Sequence, residues 1–263
     1  NTNEIELFVD GVSADTEDIS SVGSISNADD FLIGTQRASI RFWDGTIDEV
    51  AIYNRSLSAS EVEDLYNYGV QAFSETRYIL DTTIGDFSNG TTNFGNLTFE
   101  SGNVTLNHDE NNLVDTLLLM HFDNNYTQDT NLTDDVSIYN NNGYCFSSST
   151  CPEFNSNGYI GGAFEFDGIN DYFETTLTNR YTQDDFAINT WIYAKDTPGA
   201  GEHQGIIGRI GPQLDGIMFG IGSNRKIYYR TSTGAGSTSA SFTAGAINLD
   251  EWTMLTFQYD VSE

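Results

Sequence analysis

Apolar and polar residues alternate in short runs along most of the chain, each run bounded by Gly, Asn or Asp. A period of two is the signature of antiparallel strands with one wet face. Strands are expected over Glu4 to Val9, Asp30 to Ile33, Ser39 to Trp43, Glu49 to Tyr53, Ala163 to Asp167, Phe173 to Thr176, Phe186 to Tyr193, Gly205 to Ile210, Ile217 to Ile221, Lys226 to Thr231 and Trp252 to Tyr259. So many short strands predict an all-β, antiparallel β-sandwich rather than a helical or α/β fold.

One helix interrupts the pattern. Ser58 followed by Glu61 forms a capping box, Leu57 and Val62 can make a hydrophobic staple, and Gly69 stands where the helix would stop. The spacing predicts a short helix over about 59 to 68, with Val62, Leu65 and Tyr66 facing the sheet. Residues 72–112 are Gly/Asn/Thr-rich with widely spaced apolar residues, and read as a β-rich connector between 1–71 and 113–263.

Charge narrows the partners. With 10 Lys+Arg against 39 Asp+Glu, the formal charge is −29, which repels phosphate backbones and anionic lipid. Nucleic acid is therefore not an expected partner, while cations and neutral sugars suit the surface. No run approaches the ~18 apolar residues of a spanning helix, so membrane insertion is not expected. The 38% hydrophobic and 13% aromatic residues supply a core. Cys145 and Cys151 are spaced to close a loop as a disulfide in an oxidising compartment. Sequons at Asn54, Asn89, Asn96, Asn103, Asn125 and Asn131 mark candidate glycosylation sites. The chain opens Asn1-Thr-Asn without a basic and then apolar lead, so an export signal is expected to lie outside this sequence. Together these predict an extracellular or cell-surface location.

The two ends of the chain look like halves of one unit. Trp252 to Asp260 and Glu4 to Gly11 both alternate, and the residues that would join them, Asp-Val-Ser-Glu-Asn-Thr-Asn, are turn formers. The segment Trp43-Asp-Gly-Thr-Ile-Asp-Glu-Val-Ala-Ile-Tyr-Asn-Arg-Ser-Leu-Ser through Tyr66 resembles the closing motif of laminin-G-like domains of the concanavalin A-like lectin/glucanase superfamily. Leu117 to Asp123, Asp134-Asp135, Asn140 to Gly143 and Gly162 to Phe173 resemble its opening, and Phe186 to Tyr193 and Trp252 to Tyr259 its middle. The resemblance implies a jelly-roll sandwich with residues 1–71 as its C-terminal half and 113–263 as its opening and middle. Such an order fits a permuted single chain, halves meeting between successive chains, or one period of a tandem repeat. A half-sheet exposes unpaired edges, so head-to-tail pairing with copies of itself in a surface filament is the expected partnership. A monomeric calcium-dependent lectin module that binds glycans is the alternative.

Candidate sites follow from the same motifs. The resemblance implies a Ca2+ ion at a sheet edge, with Asp123, Asp135 and Asp48 as one ligand set and Asp167, Asn170 and Asp171 as another; the competing role for such residues is capping tight turns. Trp43, Tyr172, Trp191, Tyr193, Tyr228 and Tyr229 are eligible as sugar platforms, although core packing explains buried aromatics equally well. No catalytic residues are expected. Glu165-Phe-Asp167-Gly-Ile-Asn170 lacks the third acid of the glucanase pattern, as does Glu4-Ile-Glu6, and Glu61, Glu63 and Asp64 lie on the solvent side of the helix. His108, His121 and His203 have no Cys or Ser partner in a recognisable motif.

Overall fold

The computed structural model describes residues 3–20, 30–37, 40–68, 91–94, 97–100, 103–106, 115–124, 132–147, 149–177, 185–210, 216–233 and 236–261. Two eight-stranded antiparallel sheets carry the fold. The first runs Glu153–Asn155, Ala163–Asp167, Asp44–Tyr53, Phe186–Ala194, Trp252–Val261, Asn3–Val9 and Val12–Asp18, with Thr116–Met120 also on Asp44–Tyr53. The second runs Leu132–Thr133, Gly143–Tyr144, Phe173–Thr175, Phe31–Ile33, His203–Ile210, Gly216–Gly222, Lys226–Thr233 and Gly236–Ala246. Strands from before residue 69 and after residue 115 interleave in both sheets, so neither flank has a core of its own. The inner faces meet over one apolar cluster, where Phe164 and Phe166 of the first sheet set their rings edge-on to Phe173 of the second. This is the layered packing of an antiparallel β-sandwich.

The strands at the two ends of the chain form a ladder within one polypeptide. Asn3–Val9 pairs antiparallel with Trp252–Val261 from Asn3↔Val261 to Val9↔Leu255, with Ile5 opposite Tyr259 and Leu7 opposite Phe257. Their inward side chains are buried, and a one-residue slip would turn Ile5 and Leu7 out to water.

The helix spans Ala59–Tyr68. The Ser58 N–H donates to Glu61 Oε2 at 2.8 Å and the Glu61 N–H donates back to Ser58 Oγ at 3.3 Å, which is the expected capping box. Arg55 donates to both Glu61 oxygens and holds that carboxyl down at about 2, helped by Ser58. Val62 and Leu65 are buried, with Leu57, on a second apolar cluster on the outer face of the first sheet. Tyr66 remains 37% exposed.

Several strands depart from the sequence reading. The expected Ser39 to Trp43 strand is Ile40–Phe42, and it pairs with Thr35–Arg37 as a separate hairpin. The chain then turns in at fully buried Trp43, and the next strand begins at Asp44 rather than Glu49. Thr116–Met120 is buried at every residue, so it shows no alternation to read. Val12–Asp18 is an acidic edge strand, the kind of sequence that blunts an edge. The connector holds Thr91–Phe94, Leu97–Glu100 and Asn103–Leu106 as a three-stranded antiparallel meander. Among the described residues no helix is long and apolar enough to cross a membrane.

Candidate functional site

The strand Asp44–Tyr53 changes partners halfway along one side. Phe164 to Asp167 pair with Ile47 to Asp44, whereas Met120 to Thr116 pair with Val50 to Tyr53. Asp48 and Glu49 fall in the gap between these two partners. On the other side the register slips between Asn189 and Trp191, so Glu49 and Val50 together face Thr190. This is a β-bulge, and Glu49 within it takes a left-handed φ of 52°. The bulge brings the consecutive residues Asp48 and Glu49 to the same junction, where a regular strand would send them to opposite faces.

Both acids are fully buried there. Burial pushes the Asp48 carboxyl up to about 8, with the Glu49 charge adding and backbone N–H groups of Ile160 and Tyr159 opposing. Asp48 Oδ2 accepts from Ile160 N–H at 3.0 Å. Burial also raises Glu49, against the pull of His121, whose Nδ1 lies 2.8 Å from Glu49 Oε2. Asp48 Oδ1 and Glu49 Oε1 have no hydrogen-bond partner among the described residues. Asp123 Oδ1 accepts from Gly162 N–H at 3.0 Å, while a turn closes with Gly158 N–H on Gly161 O at 2.8 Å. Asp48 therefore holds this short loop beside its tip, at Ile160, and Asp123 holds its far end, at Gly162.

That loop carries Tyr159, which lies flat on Trp191 with ring centroids 3.4 Å apart and planes 15° apart. Tyr66 of the helix also stacks on Trp191, at 5.7 Å and 21°. Trp252 meets Tyr159 edge-on at 6.1 Å and Tyr193 at 5.6 Å. Trp191 is buried, but Tyr159 is 43% exposed, so the stack presents a tyrosine to solvent on a rigid aromatic base. Sequence reasoning passed over Tyr159. The signal that could have found it is the Gly-Tyr-Ile-Gly-Gly run at 158–162, a glycine-bounded turn with an aromatic at its tip.

The expected aromatic platforms are placed differently. Trp43 is fully buried in the core and offers no ring to solvent, because the chain enters the sheet there. Trp191 serves as the base beneath Tyr159. Tyr229 is buried in the core, whereas Tyr193 is half-buried beside Trp252. Tyr172 is 9% exposed, between Phe42 and Phe146. Tyr228 is half-buried and stacks on His203 at 4.0 Å.

The expected calcium ligands are occupied with backbone. Asp135 accepts from Leu119 N–H and Ser137 N–H through Oδ1, and from Ser137 Oγ–H and Asn141 N–H through Oδ2. Asp167 Oδ1 accepts from Ile169 and Asn170 N–H, and Asp171 Oδ2 accepts from Asp167 N–H. Asn170 supplies that turn its backbone N–H. Burial, with Asp167 beside it, pushes Asp171 up to about 6. Among the described residues no three His, Cys, Asp or Glu side chains are grouped so as to hold a metal ion. Turn capping accounts for the contacts that Asp135, Asp167 and Asp171 make.

Cys145 and Cys151 form the expected disulfide, with Cα atoms 5.2 Å apart. Asn54 is half-buried and donates its N–H to Asp115 O. Asn103 begins a strand, and Asn89, Asn96, Asn125 and Asn131 lie outside the described residues, as does His108. Glu165, the first acid of the near-glucanase pattern, is paired with Lys195. Asp30 and Glu174 share a hydrogen bond that helps burial raise Glu174 to about 7. Glycosidase carboxyl groups stand about 5 to 9.5 Å apart, so this pair is too close for that chemistry.

Comparison with curated proteins and with solved structures gave no match. Residues 1–63, which contain most of the closing motif and the bulged strand, match the family model Laminin_G_3, described as the concanavalin A-like lectin/glucanases superfamily.

Proposed function

We propose that this protein is a non-enzymatic, extracellular carbohydrate-binding and adhesive module. The observation that carries the reading is the Tyr159 ring, exposed and flat on Trp191, on a loop held by Asp48 at Ile160 and by Asp123 at Gly162. A flat ring on a rigid base suits the apolar face of a neutral sugar. The Cys145–Cys151 disulfide supports an oxidising compartment. The test is retention of the chain on immobilised neutral oligosaccharides, comparing it with Tyr159→Ala. At least a tenfold loss in affinity for the variant is expected; retention unchanged by the substitution, or none by the parent, overturns the reading.

A second reading, a head-to-tail unit of a surface filament, is favoured by one edge. Gly236–Ala246 ends the second sheet over eleven residues without a charged one, where edges are usually blunted. Asp15 caps it at Thr243 N–H, at 2.6 Å. Sedimentation at rising concentration distinguishes the two: a 29.1 kDa species supports the module, and a ladder of larger species supports the filament.

A further inference from the structure

The aromatic cluster around Tyr159 lies between two acids that no cation balances. The ladder sets Trp191 opposite Met254 and Tyr193 opposite Trp252, so these four side chains form two adjacent rows on the outer face of the first sheet. The turn after Asn3–Val9 closes the end of the Met254 row. Asp10 N–H donates to Met254 O at 2.9 Å, and Met254 N–H donates back to Asp10 Oδ1 at 2.9 Å. Asp10 takes a left-handed φ of 50° there, a conformation that costs free energy for a non-glycine residue and collects at binding sites. Gly11 beside it is packed against Tyr66, where an added Cβ would stand 2.9 Å from the tyrosine Cβ. The turn thus brings one carboxylate to the rings, and Glu251, next to Trp252 in the chain, brings another.

The electrostatics agree with this placement. Burial raises the Asp10 carboxyl, the Met254 N–H opposes, and the Glu251 charge adds to the rise. Burial raises the Tyr159 hydroxyl, and Tyr66 and Asp10 add to it. Asp10 is therefore felt by Glu251 on one side and by the Tyr159 hydroxyl on the other. Among the described residues neither acid is in an ion pair; Glu251 Oε2 accepts only from the neutral Asn248 Nδ2, at 2.8 Å. At the base of the stack Trp191 Nε1 is buried without an acceptor among them. An aromatic face is electron-rich, so the rings and the acids favour a ligand of the same sign.

We propose that the ligand of this site is an amino sugar, whose ring lies on Tyr159 and whose protonated amine lies between Asp10 and Glu251. A hydroxyl can accept or donate at either acid, but two carboxylates that repel each other are both relieved only by a cation. A sugar hydroxyl entering between Tyr159 and Tyr66 would supply the acceptor that Trp191 Nε1 lacks. The inference rests on the carbohydrate-binding reading and narrows its ligand class.

The experiment is calorimetric titration of the full chain at about pH 6, where a sugar amine is protonated, with a glucosamine oligosaccharide, its fully N-acetylated neutral form, and a lysine peptide of equal charge. The glucosamine form is expected to bind about tenfold tighter than the N-acetylated form. Asp10→Asn and Glu251→Gln should each remove most of that preference and leave affinity for the N-acetylated form unchanged, whereas Tyr159→Ala should weaken both sugars. Asn tolerates the left-handed backbone and its side-chain oxygen still accepts from Met254 N–H, so Asp10→Asn preserves the turn. Glu251 is exposed, and Glu251→Gln keeps the test valid should Asp10→Asn fold poorly. A preference unchanged in either folded variant, or a lysine peptide bound as tightly as the glucosamine form, overturns the proposal. Equal affinity for the two sugars overturns this inference alone, and binding of neither overturns the carbohydrate-binding reading with it.

Discussion

On the outer face of the first sheet an amphipathic helix seats Val62 and Leu65 on large apolar side chains, Phe8, Tyr53, Leu119 and Met254. On the outer face of the second sheet a two-stranded hairpin lies against glycines, Gly205 and Gly208, and carries polar and basic side chains with it. The first cover is held by burial of apolar area, which is tolerant of exact shape. The second is held by close approach of backbones, which fails with a single added carbon. The first face accordingly buries acids and exposes aromatics, while the second sets Arg41 against a buried His203.

The largest expected effect breaks the first cover. Leu65→Ala removes the centre of the helix contact and should cost about 2–5 kcal/mol, read as a lowered denaturant midpoint with an unchanged slope. A loss below about 0.5 kcal/mol would mean that the helix is not seated by burial. Next comes the second cover. Gly205→Ala must displace Gln36 backbone, with an expected cost of about 1–3 kcal/mol. It should also loosen Arg41 from His203, visible as altered His203 ring shifts by NMR; a neutral substitution would show that the hairpin is not in close backbone contact.

A smaller effect separates the acids of the first face from ordinary surface carboxylates. The folded pKa of Asp48 is raised from the ordinary 3.8 to about 8, so the folded state holds a proton that the unfolded chain releases. Its contribution to stability is fully present below the unfolded value and is lost as pH rises through the folded one. Thermal stability should therefore fall between about pH 4 and 8 through this group, and Asp48→Asn should flatten that slope. An unchanged slope in Asp48→Asn would place the titration elsewhere. Smallest of all is Arg55→Ala. Its pairs with Glu61 and Asp115 are more than a third exposed, so the loss should stay below about 1 kcal/mol after solvent screening. Millimolar calcium should leave the melting temperature unchanged if Asp135 and Asp167 are turn caps; a rise of several degrees would mean that a cation joins them.

Much of the fold was legible. The capping box at Ser58 and Glu61 located the helix because its signal is local, two side chains answering two backbone N–H groups. The alternation of Glu4 to Val9 and of Trp252 to Tyr259 showed that both are strands, and the turn formers at the chain ends showed that they could pair; the wet face expected of the second is absent, because Thr253 to Tyr259 are buried on both faces. Thr116–Met120 and Val12–Asp18 escaped notice because a strand buried on both faces and an acidic edge strand each lack the alternation on which the reading depends.

The sites were less legible for a different reason. Asp48 and Asp123 were singled out as ligands from their motif, yet their chemistry comes from neighbours: Asp48 meets Ile160, which is 112 positions away. Asp135 was singled out as a ligand in the same way, and the fold wraps four donors around it. Trp43 and Trp191 were equally eligible as platforms, and burial alone separated the core residue from the base of a stack.

By itself the sequence determined that this chain makes antiparallel sheets, one capped helix, a short disulfide loop and two pairable end strands, because each depends on period, spacing or local hydrogen bonding. The tertiary structure decided where charge is buried and which ring reaches water. Those outcomes depend on side chains brought together across the sheets from distant positions, and the solvation of a group is set by everything that surrounds it rather than by its neighbours in the chain.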